Sequence, residues 1–187
     1  MNISKIPKRY AKALFDVALT DDAVLEEVKH DIQVAANALA GSRELRALLR
    51  NPSTHFNRKK AAIKAIFESR VNDIVLKFLI ILITHNREAY LQEIAHAFMD
   101  FYKAHKNIKT VYLSSAVNID HKLKEEITNT VAREFNSMVE LRENVRKDLI
   151  GGFIIRVDDM EMDLSLRNQI KKLKHQFRAN IYQGKFK

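Results

Sequence analysis

"GGFIIRVDDMEMDLS", residues 151–165, decides what kind of fold the C-terminal part of this 187-residue chain adopts. Apolar residues occupy every second position on both sides of Asp158-Asp159, which is the side-chain period of a β-strand. The first apolar row is Phe153, Ile155 and Val157. The second row is Met160, Met162 and Leu164. The stretch therefore predicts a β-hairpin whose turn is Asp158-Asp159.

The same stretch carries four carboxylates within six positions, so a metal or acid–base site is the alternative to a hairpin. They are Asp158, Asp159, Glu161 and Asp163. A calcium loop counted from Asp159 needs glycine at its sixth position and glutamate at its twelfth, where this chain has Leu164 and Ile170. Acids that alternate on a strand point together toward solvent, whereas a catalytic pair needs two different environments. We interpret Asp163 with Ser165 as the cap of the last helix, and Gly151-Gly152 as a bulge or close backbone approach.

The sequence around the hairpin predicts a small α/β domain over residues 106–187. "IKTVYLSSAV" (108–117) and "MVELRENV" (138–145) alternate as strands do, and Asp120 can cap a helix between them. The last helix carries apolar residues at spacings of four, three and four, namely Leu166, Ile170, Leu173 and Phe177. The order strand–helix–strand–strand–strand–helix indicates a mixed sheet.

Residues 1–105 have the pattern of six consecutive amphipathic helices joined by short loops, which predicts an antiparallel bundle. Asp21 or Asp22, Ser42, and Asn72 or Asp73 are placed to cap three of them. On the first helix the predicted apolar face is Tyr10, Ala13, Leu14, Val17 and Ala18. The predicted fold class is thus mainly α, with a six-helix bundle followed by the small α/β domain.

Composition limits the classes of function. The chain has no cysteine, which excludes disulfides and thiolate chemistry, and its formal net charge is +9. Its most apolar run, residues 74–83, is interrupted by Lys77 and is about half the ~20 residues that a membrane span needs. We expect no membrane crossing. The N-terminus lacks the apolar core of a signal peptide, and we expect a bacterial source.

No motif for catalysis or metal binding was found. The seven histidines form no HExxH pair, and no serine lies in a GxSxG elbow. We therefore expect no catalytic residue, metal or cofactor. The positive charge and a basic face on the last helix (Lys171, Lys172, Lys174 and His175) leave one alternative open, a basic helical nucleic-acid-binding protein.

Four segments resemble one family in its own order along the chain. They are "KRYAKALFDVA" (8–18), "LLRNPS" (48–53), "HNR" (85–87) and "IGGFIIRVDDMEMDLSLRNQIKKL" (150–173). These closely resemble the delta subunit of bacterial F-type ATP synthase, whose mitochondrial counterpart is the oligomycin-sensitivity-conferring protein. The C-terminal motif of that family is matched at Gly151, Gly152, Asp159, Asp163 and Ser165, whereas Asp158 stands where the family usually has glycine.

The resemblance implies a non-catalytic stator subunit, present once per complex, peripheral to the cytoplasmic face of the bacterial inner membrane. It implies that residues 1–105 grip the N-terminal helix of an alpha subunit and that residues 106–187 hold the b subunits of the peripheral stalk. By analogy, the first and fifth helices form the groove for the alpha helix. The implied groove residues are Tyr10, Ala13, Leu14, Val17, Phe78, Leu79 and Leu82, of which we expect about half to be core.

Overall fold

The structure is a computed structural model that describes residues 5–51 and 53–183. Its helices are α1 (Lys5–Ala18), α2 (Asp22–Gly41), α3 (Arg43–Arg50), α4 (Phe56–Phe67), α5 (Asp73–Thr84), a 3-10 turn (Glu88–Tyr90), α6 (Leu91–His105), α7 (His121–Phe135) and α8 (Leu166–Gln183). Its strands are β1 (Ile108–Ser115), β2 (Met138–Val145), β3 (Phe153–Val157) and β4 (Met160–Asp163). A mainly helical chain with a small mixed sheet is what the sequence predicts, and at this level the fold class is confirmed.

The chain divides between Lys103 and Ala104 into two compact units, which we call unit 1 and unit 2. Unit 1 contains α1 to α5, the 3-10 turn and most of α6. Unit 2 contains the four strands, α7 and α8. Each unit has a hydrophobic core of its own, so each is described separately.

The helices of unit 1 begin where capping side chains satisfy the first free backbone N–H groups. Asp21 Oδ1 accepts a hydrogen bond from Ala23 N at 2.9 Å, and Ser42 Oγ accepts one from Leu45 N at 3.1 Å. Asn72 Oδ1 caps α5 in the same way. These are three of the positions that the sequence indicates as caps, because a short polar side chain there replaces the missing helical acceptor.

The buried face of α1 differs from the predicted one. Its buried residues are Pro7, Ala11, Leu14, Phe15 and Ala18. Only Leu14 and Ala18 belong to both sets, whereas Val17 is exposed and Tyr10 half-buried. The reason is Phe15, whose ring centroid lies 5.9 Å from that of Phe98 on α6. Burying this phenyl ring removes more apolar surface from water than burying Val17, so the helix is rotated toward it.

A buried ion pair that the sequence pattern does not predict joins three segments of unit 1. Lys59 on α4 and Glu88 in the 3-10 turn form a salt bridge, and both side chains are buried. The Lys59 ammonium also donates to the carbonyl of Leu49 at the end of α3, at 2.6 Å. Removing a charge from water costs free energy, so charged side chains are buried only when they are paired. This bridge therefore fixes the 3-10 turn against α3 and α4.

Unit 2 is a four-stranded sheet in the order β2-β1-β3-β4 with α7 packed on one face. β1 and β2 are parallel, joined through α7, and the other two pairs are antiparallel, so the sheet is mixed as predicted. Its core cluster consists of Val111, Leu113, Ile127, Val131 and Val157. β3 and β4 form the hairpin that residues 151–165 predict, with Val157 opposite Met160 across a turn at Asp158 and Asp159.

Candidate partner-binding surfaces

The α1 residues of the implied groove divide between core and surface. Leu14 is buried, whereas Tyr10, Ala13 and Val17 lie on the outer side of the helix, and Val17 is 55% exposed. These three recur at spacings of three and four residues and therefore follow one line along α1. They form an apolar row that is available to a partner.

The implied groove residues of α5 do not reach the surface. Phe78, Leu79 and Leu82 are all buried in the core of unit 1. The outward apolar residue of this helix is Ile81, which is 47% exposed and was missed by the sequence reasoning. The sequence nevertheless contained a signal for the exposure of Ile81. Lys77 is the one charged residue in the run 74–83, so it marks the solvent face, and Ile81 lies one turn farther along.

The structure brings α1 and the end of α5 together. The ring of Tyr10 lies 6.5 Å from that of His85, the residue that follows α5, and both helices pack against α2. We call the exposed or half-exposed residues Tyr10, Ala13, Val17, Ile81 and His85 the α1–α5 surface. The other four implied groove residues, Leu14, Phe78, Leu79 and Leu82, are buried in the core of unit 1.

Cations border the α1 side of this surface. The outward residues of the first two turns of α1 are basic, namely Lys5, Lys8, Arg9 and Lys12. The Arg9 guanidinium lies 5.9 Å from the centre of the Tyr10 ring, within cation–π range. A partner that carries carboxylates beside its apolar face would complement this border.

In unit 2 the family motif shapes the turn from the sheet into α8. Gly152 has a φ of +75°, and a Cβ there would lie 2.4 Å from the carbonyl oxygen of Leu164, so only glycine fits this close approach. Asp163 Oδ1 accepts from Ser165 N at 2.9 Å, and Ser165 Oγ accepts from Asn168 N. Hydrogen bonds from Ser165 hold the pKa of the Asp163 carboxyl below its usual value. The predicted close approach and the predicted cap are both confirmed.

The four acids of this stretch have separate structural roles and do not converge on one site. Asp158 lies at the turn with a φ of +50° and pairs with Lys109 at 2.5 Å. Asp159 is exposed in the same turn, Glu161 is exposed opposite Arg156, and Asp163 ends β4 and accepts from Ser165 N ahead of α8. Among the described residues, no cluster of three or more histidine and acidic side chains could hold a metal ion.

The apolar row that follows the turn is uncovered. Val157 on β3 is 5% exposed, whereas its neighbours across the hairpin, Met160 and Met162, are each 59% exposed. The cover of α7 therefore ends at β3 and leaves β4 open on the same sheet face. The apolar residues of α8 are open as well, with Leu166, Ile170 and Leu173 between 44% and 51% exposed. We call Met160, Met162, Leu164, Leu166, Ile170 and Leu173 the β4–α8 strip.

All six side chains of the strip are exposed along the chain from Met160 to Leu173. Soluble monomers rarely leave large apolar patches open, so the strip has the character of an interface. The sequence predicted its apolar residues but not their exposure. Phe177, predicted on the same side of α8, lies outside the residues whose side chains are described.

The family model of the ATP synthase delta (OSCP) subunit matches residues 6–177 of this chain. The chain belongs to the ATP synthase delta (OSCP) subunit family. Among its relatives, the ATP synthase subunit delta of Synechococcus elongatus is 34% identical over 88% of this chain and 91% of that protein. The subunit delta of Desulforamulus reducens is 30% identical over 90% of this chain and 93% of that protein.

The fold is also found among solved structures. A chain in the Toxoplasma gondii mitochondrial ATP synthase hexamer superposes with a TM-score of 0.71 and 20% sequence identity. The match covers 93% of this chain and 98% of that one, so the likeness extends over both units.

Membership of the family confirms the predicted non-catalytic, stator type of subunit and gives no support to the nucleic-acid alternative. The described part of the chain contains no helix that is both long and apolar enough to span a bilayer.

Proposed function

We propose that this subunit ties the catalytic headpiece of ATP synthase to the peripheral stalk, with a different partner on each unit. Unit 1 would hold the N-terminal helix of one alpha subunit, and unit 2 would hold the b subunits. The observation that carries the proposal is that each compact unit exposes apolar side chains that a partner could cover, on the α1–α5 surface in unit 1 and on the β4–α8 strip in unit 2.

The location follows from this proposal. One copy would join each complex, on the cytoplasmic face of the bacterial inner membrane, and would reach the membrane only through the other subunits. A link of this kind transmits force and performs no bond chemistry, which agrees with acids that serve as turn and cap residues.

On the headpiece side, the α1–α5 surface fits a helix laid along two helices of a rigid scaffold. Ala13 is small and lets the backbone of an incoming helix approach α1, while Val17 and Ile81 offer apolar contacts on either side. We propose that the six helices of unit 1 pack as an antiparallel bundle, whose buried Leu14 and Leu79 keep α1 and α5 rigid under load.

This half of the proposal is tested with the N-terminal peptide of the alpha subunit from the same organism and the full-length chain. We expect Val17→Asp and Ile81→Asp each to weaken binding roughly tenfold or more, as loss of a central apolar contact does. Both side chains are exposed, so the fold should tolerate the change, and circular dichroism checks this.

The matched control is Val117→Asp, which places the same charge on an exposed valine of unit 2 and should leave peptide binding unchanged. If the two unit 1 variants bind the peptide as tightly as the wild type does, the α1–α5 surface is not the headpiece site.

A further inference from the structure

The α8 part of the strip has a pattern of charges that indicates which charges a partner on this surface should carry. Arg167, Lys171 and Lys174 each follow an apolar residue of the strip by one position, so they repeat its spacing of four and three residues. At 3.6 residues per turn, these cations form a second line along α8 beside Leu166, Ile170 and Leu173. A basic stripe therefore runs parallel to an apolar one.

Arg167, at the start of this stripe, donates to the carbonyl oxygen of Asp148 at 3.2 Å, whereas Lys171 and Lys174 have no carboxylate within their own segment of the chain. From residue 164 to residue 187 the sequence contains seven lysines and arginines and neither aspartate nor glutamate. Lys171, Lys172 and Lys174 are all exposed. Charges across an interface are arranged to be complementary, so a partner on this surface should bring acids to the side of Lys171 and Lys174.

The β4 part of the strip argues against a lipid surface as the occupant. Anionic headgroups are bound by clusters of lysine and arginine, and residues 157–164 contain neither. The apolar line on α8 consists of three residues over two turns, with a single residue at each level of the helix. It is therefore narrower than the apolar face of a helix that lies in a bilayer. A protein helix can place its acids on the α8 side alone.

We propose that the stalk segment bound by unit 2 is an acidic amphipathic helix. Its apolar face covers the β4–α8 strip, and its carboxylates lie against Arg167, Lys171 and Lys174. This rests on the proposed function, which assigns the stalk to unit 2, and it adds the surface and the charge of the partner. The exposed thioethers of Met160 and Met162 suit such a contact, because methionine adapts to irregular apolar surfaces.

The test measures binding of the soluble b-subunit fragment from the same organism to the full-length chain by calorimetry. We expect Ile170→Asp to weaken binding roughly 30-fold, as loss of a central anchor does. We expect the double variant Lys171→Glu/Lys174→Glu to weaken it about tenfold at low salt, with the difference shrinking as salt is added. Replacing acids of the fragment by lysine should restore binding to the double variant.

Two matched controls are exposed residues of unit 2 outside β4 and α8, Val117→Asp and Lys122→Glu, and both should bind as the wild type does. If the fragment does not bind the wild-type chain, the assignment of the stalk to unit 2 fails. If it binds, but the Ile170 and double variants stay within about twofold of wild type, the strip proposal is overturned while that assignment stands. Binding of phosphatidylglycerol vesicles that Ile170→Asp abolishes, with unchanged fragment binding, would assign the strip to lipid instead.

Discussion

At the scale of single residues, Gly152 and Gly41 offer a direct comparison. Gly152 has a positive φ, and a Cβ added there would clash with the Leu164 carbonyl oxygen, whereas a Cβ added at Gly41, the last residue of α2, would meet no atom within 4 Å. We expect Gly152→Ala to lower the free energy of unfolding by more than about 2 kcal/mol, since backbone strain and steric overlap add. Gly41→Ala should be neutral or stabilise by up to about 1 kcal/mol, because alanine favours helix.

Urea unfolding of both variants measures the difference. Equal stabilities would mean that the close approach between Gly152 and Leu164 is absent in solution.

Asp158 stands where the resemblance predicts glycine, and its backbone conformation is one that favours glycine. Its φ of +50° is left-handed, and its carboxylate is held by Lys109. We expect Asp158→Ala to be less stable than Asp158→Gly by about 1 kcal/mol, because both lose the ion pair but only alanine keeps the strain.

Comparing Asp158→Ala with Asp158→Gly isolates the cost of backbone strain, because both variants lose the ion pair. Lys109→Ala measures the contribution of the ion pair alone. That variant should cost less than about 1 kcal/mol, as exposed ion pairs do. A glycine variant no more stable than the alanine variant in thermal unfolding would contradict the left-handed turn.

At the scale of elements, the buried Lys59–Glu88 bridge holds the 3-10 turn to α3 and α4. Lys59→Met leaves the Glu88 carboxylate buried without its partner and should cost about 3–5 kcal/mol of unfolding free energy. The double variant Lys59→Met/Glu88→Leu removes both charges and should recover much of that loss.

Denaturant unfolding of the two single variants and the double variant forms a complete cycle. Additive losses in the double variant would show that the two side chains do not interact.

At the scale of the whole molecule, the proposed attachments act in series, because torque on the headpiece must pass through both units to reach the stalk. Breaking either attachment, with Val17→Asp/Ile81→Asp or with Ile170→Asp, should lower proton-driven ATP synthesis in membrane vesicles. ATP hydrolysis by the headpiece should persist, because these residues belong to no catalytic site.

For links in series, synthesis requires both attachments at once, so the synthesis that remains in the combined variant should be about the product of the fractions that remain in the separate variants. If either variant alone keeps nearly full synthesis and only the combination loses it, the two attachments act as parallel paths, which would contradict this arrangement.

The sequence by itself determined the local features of this protein. Alternation around Asp158-Asp159 gave the hairpin, and short polar residues such as Asp21, Ser42 and Ser165 marked helix starts. The motif at residues 150–173 indicated the family. Each of these signals depends on the backbone geometry of a few neighbouring residues, so a short stretch of sequence is enough to predict it.

Only the tertiary structure decided which apolar residues are core and which are surface. Contact of Phe15 with Phe98 rotated α1 so that Val17 faces outward, and the packing of α5 buried Phe78, Leu79 and Leu82 while exposing Ile81. The end of the α7 cover at β3 left Met160 and Met162 open. Burial depends on contacts between residues that are distant in sequence. The hydrophobicity of a side chain therefore does not show whether it packs in the core of its own chain or binds a partner.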